Sequence, residues 1–164
     1  MVLTIRPVAA ALFLIFVSAL LLERAQAGSG HYYPPVTDKL TQEECGSCHL
    51  AFPAALLPAR SWQRIMGGLA DHFGDDASLD PAATAHITRY LTDNAADGAG
   101  ARHARKMMRG IDQANPPLRI TELPKWVSEH REISPREWKS KDVGSKANCT
   151  ACHVDASKGY FEDD

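Results

Sequence analysis

Chemistry in this chain is concentrated in two short segments, Cys45-Gly-Ser-Cys48-His49 and Cys149-Thr-Ala-Cys152-His153, which together use all 4 cysteines. Each is a Cys-x-x-Cys-His motif, the attachment signature of c-type haem. The spacing has a physical reason. On a helical turn, positions three apart share a face, so both sulfurs can bond to the two vinyl groups of one porphyrin. The adjoining histidine then offers its imidazole to the iron as the proximal ligand. Cys45, Cys48, Cys149 and Cys152 are therefore the candidate anchors of two covalent haem c groups, with His49 and His153 as proximal ligands. Three other chemistries use cysteine pairs. A four-cysteine zinc site commonly sets its pairs about 15 to 20 residues apart. Here residues 49–148 intervene, and zinc needs no trailing histidine. Disulfides suit a secreted chain, and a thioredoxin-like redox pair needs a βαβ context that this sequence lacks. Two complete motifs, with no cysteine left over, favour haem.

The opposite face of each iron decides between a carrier and an enzyme. An iron capped by two protein ligands does not readily take oxygen or peroxide, whereas an open one does. After the first motif, Ser61 reads as the N-cap of a helix running to Phe73 and ended by Gly74. Trp62, Ile65, Leu69 and His72 then share one stripe, which aims His72 at the largest apolar object nearby, the first haem. Met66 sits beside the same stripe and reads as core filler. Upstream of the second motif, Thr121 and Pro124 open a short helical stretch to His130, which shares a face with Trp126 and Val127. His130 is thus the candidate distal ligand of the second haem. Met107 and Met108 lie in a tract whose Arg102, Arg105, Lys106 and Arg109 read as a solvated basic face. His31, His86 and His103 are less well placed. One spare histidine for each haem favours two bis-histidine irons.

The order of several segments is familiar. Tyr33-Pro-Pro-Val-Thr-Asp38 leads into Glu44-Cys-Gly-Ser-Cys-His49, followed by Leu56-Leu-Pro-Ala-Arg-Ser-Trp62 and His72-Phe-Gly74. Arg119-Ile-Thr-Glu-Leu-Pro124, Glu129-His130 and Asn148-Cys-Thr-Ala-Cys-His153 come later. This pattern resembles the bacterial dihaem cytochrome c family, whose members include the partner of an oxygen-binding monohaem cytochrome. The resemblance covers most of the chain, apart from the tract Asp97 to Gly110. It implies an electron-transfer protein with two bis-histidine haems: a small cytochrome c-like N-terminal part and an irregular, loop-rich C-terminal haem-binding segment. Carried over by motif, His49 and His153 are the proximal ligands, with His72 and His130 distal. It also implies redox partner proteins, namely an oxygen-binding monohaem cytochrome as acceptor and a membrane cytochrome as donor.

The elements that must position these residues read as all-α with long loops. Thr37 or Asp38 caps a helix entering the first motif, Asp80-Pro81 opens a helix with Ala83, Ile87, Tyr90 and Leu91 on its apolar stripe, and Ser134-Pro135 starts a turn carrying Trp138. Lys141 to Asn148 is a polar loop, and Asp97-Gly-Ala-Gly100 marks a boundary. The organisation expected is a signal peptide at 1–27, a cytochrome c-like haem domain at 28–97 and a second haem-binding segment at 98–164. The leader has Arg6, an apolar stretch from Val8 to Leu22 and an Ala25-Gln-Ala27 cleavage site. That apolar stretch is short beside the roughly 20 residues that span a bilayer. A net charge of −2 without a dominant basic face gives nucleic-acid binding no support. The expected protein is an exported, periplasmic electron carrier with no catalytic residues. A dihaem peroxidase or a gas-binding haem protein with one open iron is the alternative.

Overall fold

The computed structural model describes residues 32–98 and 101–162, without the side chains of residues 102 and 103. The leader read over residues 1–27, His31 and the His103 side chain lie outside the described residues. The described residues belong to one compact unit. Among the described residues no strand forms, and extended pairing is limited to the isolated bridges Tyr32 to Tyr160 and His72 to Asp75. The architecture is all-α, as expected: among the described residues, five helices joined by short 3-10 segments and long loops.

Helix α1, Lys39–Gly46, starts at Asp38, whose carboxylate accepts from the Thr41 amide at 2.8 Å and the Thr41 hydroxyl at 2.7 Å. It carries Cys45 to its C-terminal end. Helix α2, Ala59–Met66, follows Pro58, which leaves its first turn without a local side-chain cap. A distant group fills the gap: the Asp97 carboxylate accepts from the Ala59 amide at 2.9 Å. Helix α3, Pro81–Asp93, has its N-cap at Asp80, which accepts from the Ala82 and Ala83 amides, and Pro81 suits the first helical position. Its stripe of Ala83, Ile87 and Leu91 is buried, and α2 packs chiefly against it. His86, beside the stripe, reaches Asp38 at 2.9 Å instead. Two short helices complete the set, α4 at Pro124–Glu129 and α5 at Pro135–Trp138, the latter capped by Ser134.

One expectation fails. Ser61 does not cap a helix reaching Phe73; it lies inside α2, fully buried, and its hydroxyl donates to the Pro117 carbonyl at 2.6 Å. The helix stops at Gly67 because Gly67-Gly68 breaks the run, and the chain continues as a 3-10 turn at Leu69–Asp71. His72 is therefore delivered by a turn, not by a helical stripe.

The core is continuous from Tyr33, Leu57 and Trp62 through Ile87 and Leu91 to Leu123 and Trp126. Burying each large aliphatic side chain contributes about 1.5 to 3 kcal/mol. The Trp62 indole donates to the Ala54 carbonyl at 2.8 Å, so its one polar atom is satisfied inside. In the tract after the described gap, Ala101, Ala104 and Met107 are buried at the spacing of three that a 3-10 helix requires, with Arg105, Lys106 and Arg109 exposed. Met66 is likewise a core residue. No helix among the described residues is long and apolar enough to cross a membrane.

The chain returns on itself at its described ends. The Tyr33 amide donates to the Gly159 carbonyl at 2.8 Å, and the Tyr32 and Tyr160 rings pair with centroids 4.9 Å apart. Tyr33 packs edge-on against Phe161. This clasp turns the last segment inward, toward the second motif.

Candidate functional site

The first motif straddles the end of α1. Cys45 sits in the helix, Ser47 closes it by donating to the Glu44 carbonyl at 2.9 Å, and Cys48 and His49 follow in the turn. The second motif is a 3-10 turn, Cys149–Ala151, in which the His153 amide reaches back to the Cys149 carbonyl at 2.8 Å. No disulfide joins any of the four cysteines. Burial raises the Cys45 thiol above its ordinary range, with Glu44 adding to the effect. Burial also pushes Cys149 up to about 11. Among the described residues no three His, Cys, Asp or Glu side chains converge as a metal-binding group, so the cysteine pairs are not gathered as a zinc site would gather them.

The histidines converge two by two. The His49 and His72 rings lie with centroids 6.2 Å apart, and the His130 and His153 rings 6.1 Å apart. Those separations fit one iron between each pair. A metal–imidazole bond is about 2 Å and the ring centre lies about 1 Å beyond the nitrogen, so two imidazoles on opposite sides of one ion have centroids about 6 Å apart. Apolar side chains stand exposed alongside: Phe73 next to His72, Val127 on the helix that leads to His130, and Val154 next to His153. A flat apolar macrocycle suits such a surface.

Three of the four imidazoles are oriented by backbone carbonyls. His49 Nδ1 meets the Leu50 oxygen at 2.7 Å, His130 Nδ1 the Trp126 oxygen at 2.8 Å, and His153 Nδ1 the Glu162 oxygen at 3.0 Å. A carbonyl only accepts, so each Nδ1 carries the proton and each Nε2 keeps its lone pair for a metal. His72 is held by its backbone instead. Its amide donates to the Asp75 carbonyl at 2.7 Å, and Asp75 returns the bond. The next residue, Phe73, takes a left-handed φ of 57°, which costs energy for a residue with a Cβ. The Arg119 guanidinium lies over the Phe73 ring, 3.9 Å from its centroid, and steadies the turn from outside. Desolvation first, then His49 and Arg119, keep the His72 imidazole more readily neutral than an ordinary histidine.

The second pair sits in an aromatic nest. The His130 ring stacks on Trp126 at 4.1 Å, Trp138 packs beside Trp126, and Lys146 lies over both indoles at 5.7 and 5.9 Å. Phe161, carried in by the clasp, meets the His153 ring. Nothing near the second motif predicts this partner, since Phe161 is placed through Tyr33. Tyr33 itself is raised to about 12 by burial, with Glu129 contributing.

Two Cys-x-x-Cys-His segments, each faced by another imidazole in an all-α chain, make the frame of a multihaem c-type cytochrome. Comparison agrees. The family model for dihaem cytochrome c matches residues 41–161. A diheme cytochrome c from Rhodobacter sphaeroides is similar at 50% identity and a TM-score of 0.70, covering 78% of this chain and 99% of that one. A second structure from the same organism, of DHC purified from it, is similar at 47% identity and a TM-score of 0.65, covering 77% and 99%. A diheme cytochrome type c from Shewanella baltica OS155 is similar at 40% identity and a TM-score of 0.62, covering 76% and 86%. No curated protein matches. The chain belongs to the dihaem cytochrome c family. It is an electron-transfer cytochrome carrying two covalently bound haem c groups.

Proposed function

We propose that this chain is an exported, periplasmic carrier in which both irons are closed by two imidazoles, and that it passes single electrons from a membrane or soluble donor to a soluble haem-protein acceptor. Cys45 and Cys48 bind one haem, with His49 proximal and His72 distal. Cys149 and Cys152 bind the other, with His153 proximal and His130 distal. The bound haem supplies a one-electron couple, and two imidazoles hold its potential lower than a His/Met pair does. What the protein contributes is rigidity. The carbonyls of Leu50, Trp126 and Glu162 and the bridge from His72 to Asp75 keep the imidazoles in place. Little then has to reorganise when an electron arrives. An oxygen-binding monohaem cytochrome is the acceptor class suggested by the resemblance of the sequence.

The observation that carries the reading is the pair of centroid separations, 6.2 and 6.1 Å. The test is carbon monoxide added to the dithionite-reduced holoprotein, with the Soret band recorded. The wild type is expected to show no shift, and His72→Ala and His130→Ala a shift worth one haem each. A wild-type shift worth one haem would favour a peroxidase or gas-binding protein. A holoprotein lacking two haem increments of mass would overturn the attachment sites.

A further inference from the structure

The two histidine pairs have the same spacing but different orientation. The His49 and His72 ring planes are inclined by 21°, whereas those of His130 and His153 stand at 81°. Each orientation follows from neighbours. His49 stacks on Phe52 at 4.9 Å and 20°, with Nδ1 tied to Leu50. His72 is set by the turn that hydrogen-bonds it to Asp75. His130 lies nearly parallel to the Trp126 indole on which it stacks, at 12°, and its Nδ1 bonds to the same residue's carbonyl. Trp126 is itself buried and backed by Trp138, so it offers the imidazole a fixed plane. His153 is turned by Glu162 and by the Phe161 edge at 63°.

We infer that the two iron centres are electronically distinct, near-parallel imidazoles at the N-terminal one and crossed imidazoles at the C-terminal one, with Trp126 the positioning residue that sets the crossing. This rests on the bis-imidazole reading proposed above. The physical link is orbital symmetry. The filled π orbital of an imidazole stands perpendicular to its ring and overlaps one of the two iron d orbitals that lie along the bond axis. Parallel rings act on the same orbital and split the pair. Crossed rings act on one each and leave the pair nearly degenerate. The unpaired electron of low-spin ferric iron then keeps more orbital angular momentum, and its magnetic response becomes strongly anisotropic. Ligand orientation, imposed by the shell around the ligands, is thus a lever on the metal separate from ligand identity.

Low-temperature electron paramagnetic resonance of the oxidised holoprotein tests this. The expected spectrum has two low-spin components of equal intensity, one rhombic with three resolved g values and one highly anisotropic, dominated by a single large g value. His72→Ala should remove the rhombic component and leave the other, and His130→Ala should do the reverse. Trp126→Phe, which keeps a ring to stack on, should preserve the anisotropic component, and Trp126→Leu should convert it toward a rhombic one. Two components of one type, or assignments the other way round, overturn the inference. An unchanged anisotropic signal in Trp126→Leu removes Trp126 from its role. Should that variant fail to fold, the wild-type and histidine-variant spectra still decide the orientation. A high-spin signal in the untreated wild type would instead sink the bis-imidazole reading itself.

Discussion

Replacing Gly159 with alanine should loosen the second centre from a distance, and a second glycine supplies the control. Both Gly159 and Gly144 have left-handed backbones, with φ of 90° and 70°. A Cβ at Gly144 would meet nothing within 4 Å, so Gly144→Ala bears only the handedness penalty of about 1 to 2 kcal/mol, part of which the stiffer unfolded chain offsets. A Cβ at Gly159 would collide with the Tyr33 carbonyl oxygen and stand 3.1 Å from Pro35 and 3.2 Å from Tyr32. That first contact is backbone and cannot rotate away, so the N-terminal segment of the clasp must shift. The bond from the Tyr33 amide to Gly159 then weakens, worth about 1 kcal/mol net, as does the pairing of Tyr32 with Tyr160, worth about 0.5 to 1 kcal/mol. The expected totals are about 3 kcal/mol for Gly159→Ala and about 1 kcal/mol for Gly144→Ala. At about 3 to 4 °C per kcal/mol for a domain of this size, thermal unfolding should fall by about 10 °C and about 3 °C. The assay is thermal unfolding of the oxidised holoproteins followed in the Soret band and by far-ultraviolet circular dichroism. Because the clasp also delivers Phe161 and the Glu162 carbonyl to His153, only Gly159→Ala should broaden the signal of the C-terminal centre. Equal losses of stability in the two variants would refute the steric argument.

Other perturbations have equally definite outcomes. Leu123→Ala empties a fully buried position in the shared core and should cost about 2 to 5 kcal/mol, read as a lower denaturant midpoint with both Soret contributions lost together. Ser61→Ala leaves the half-buried Pro117 carbonyl without its donor and should cost about 1 kcal/mol, whereas Ser61→Thr, retaining the hydroxyl, should recover part of that in the same assay. Asp38 is lowered from 3.8 to about 2, first by its bond from the Thr41 hydroxyl and then by His86. A carboxyl depressed in the folded state stabilises above its unfolded value and loses that contribution as pH falls through its folded one. The acid titration of Asp38→Asn, followed by circular dichroism, should therefore lack a destabilising step between pH 3.8 and about 2 that the parent chain has.

Signals confined to a few neighbouring residues were legible. The Asp38 and Ser134 caps and the Asp80-Pro81 helix start each depend on groups within one turn of each other, and the structure reproduces them. The apolar spacing of Ala83, Ile87 and Leu91 likewise marked a buried face. The end of the helix through Trp62 was misread because the stripe of Trp62, Ile65 and Leu69 continues across Gly67-Gly68, and periodicity carries no information about the backbone cost of two glycines. Long-range partners left no local trace. Asp97, read as a boundary, fastens the first amide of α2, and Ser61, read as a cap, fastens Pro117. The His153 imidazole is oriented by the Glu162 carbonyl, nine residues on, a spacing that no helical or strand period announces.

Helix α2 also bears on how members of this family could be recombined. Ala59 binds Asp97, Ser61 binds Pro117 and Arg64 binds Asn115 at 2.8 Å, while Leu57, just before the helix, accepts from the Ala96 amide at 2.9 Å. A splice between residues 97 and 98 leaves Ser61 and Arg64 on one parent and their acceptors on the other. The second haem-bearing stretch is therefore not a cassette to be grafted alone: a working chimera must carry matching residues from the 59–64 turns as well, and the proline loop that receives them belongs to the same graft.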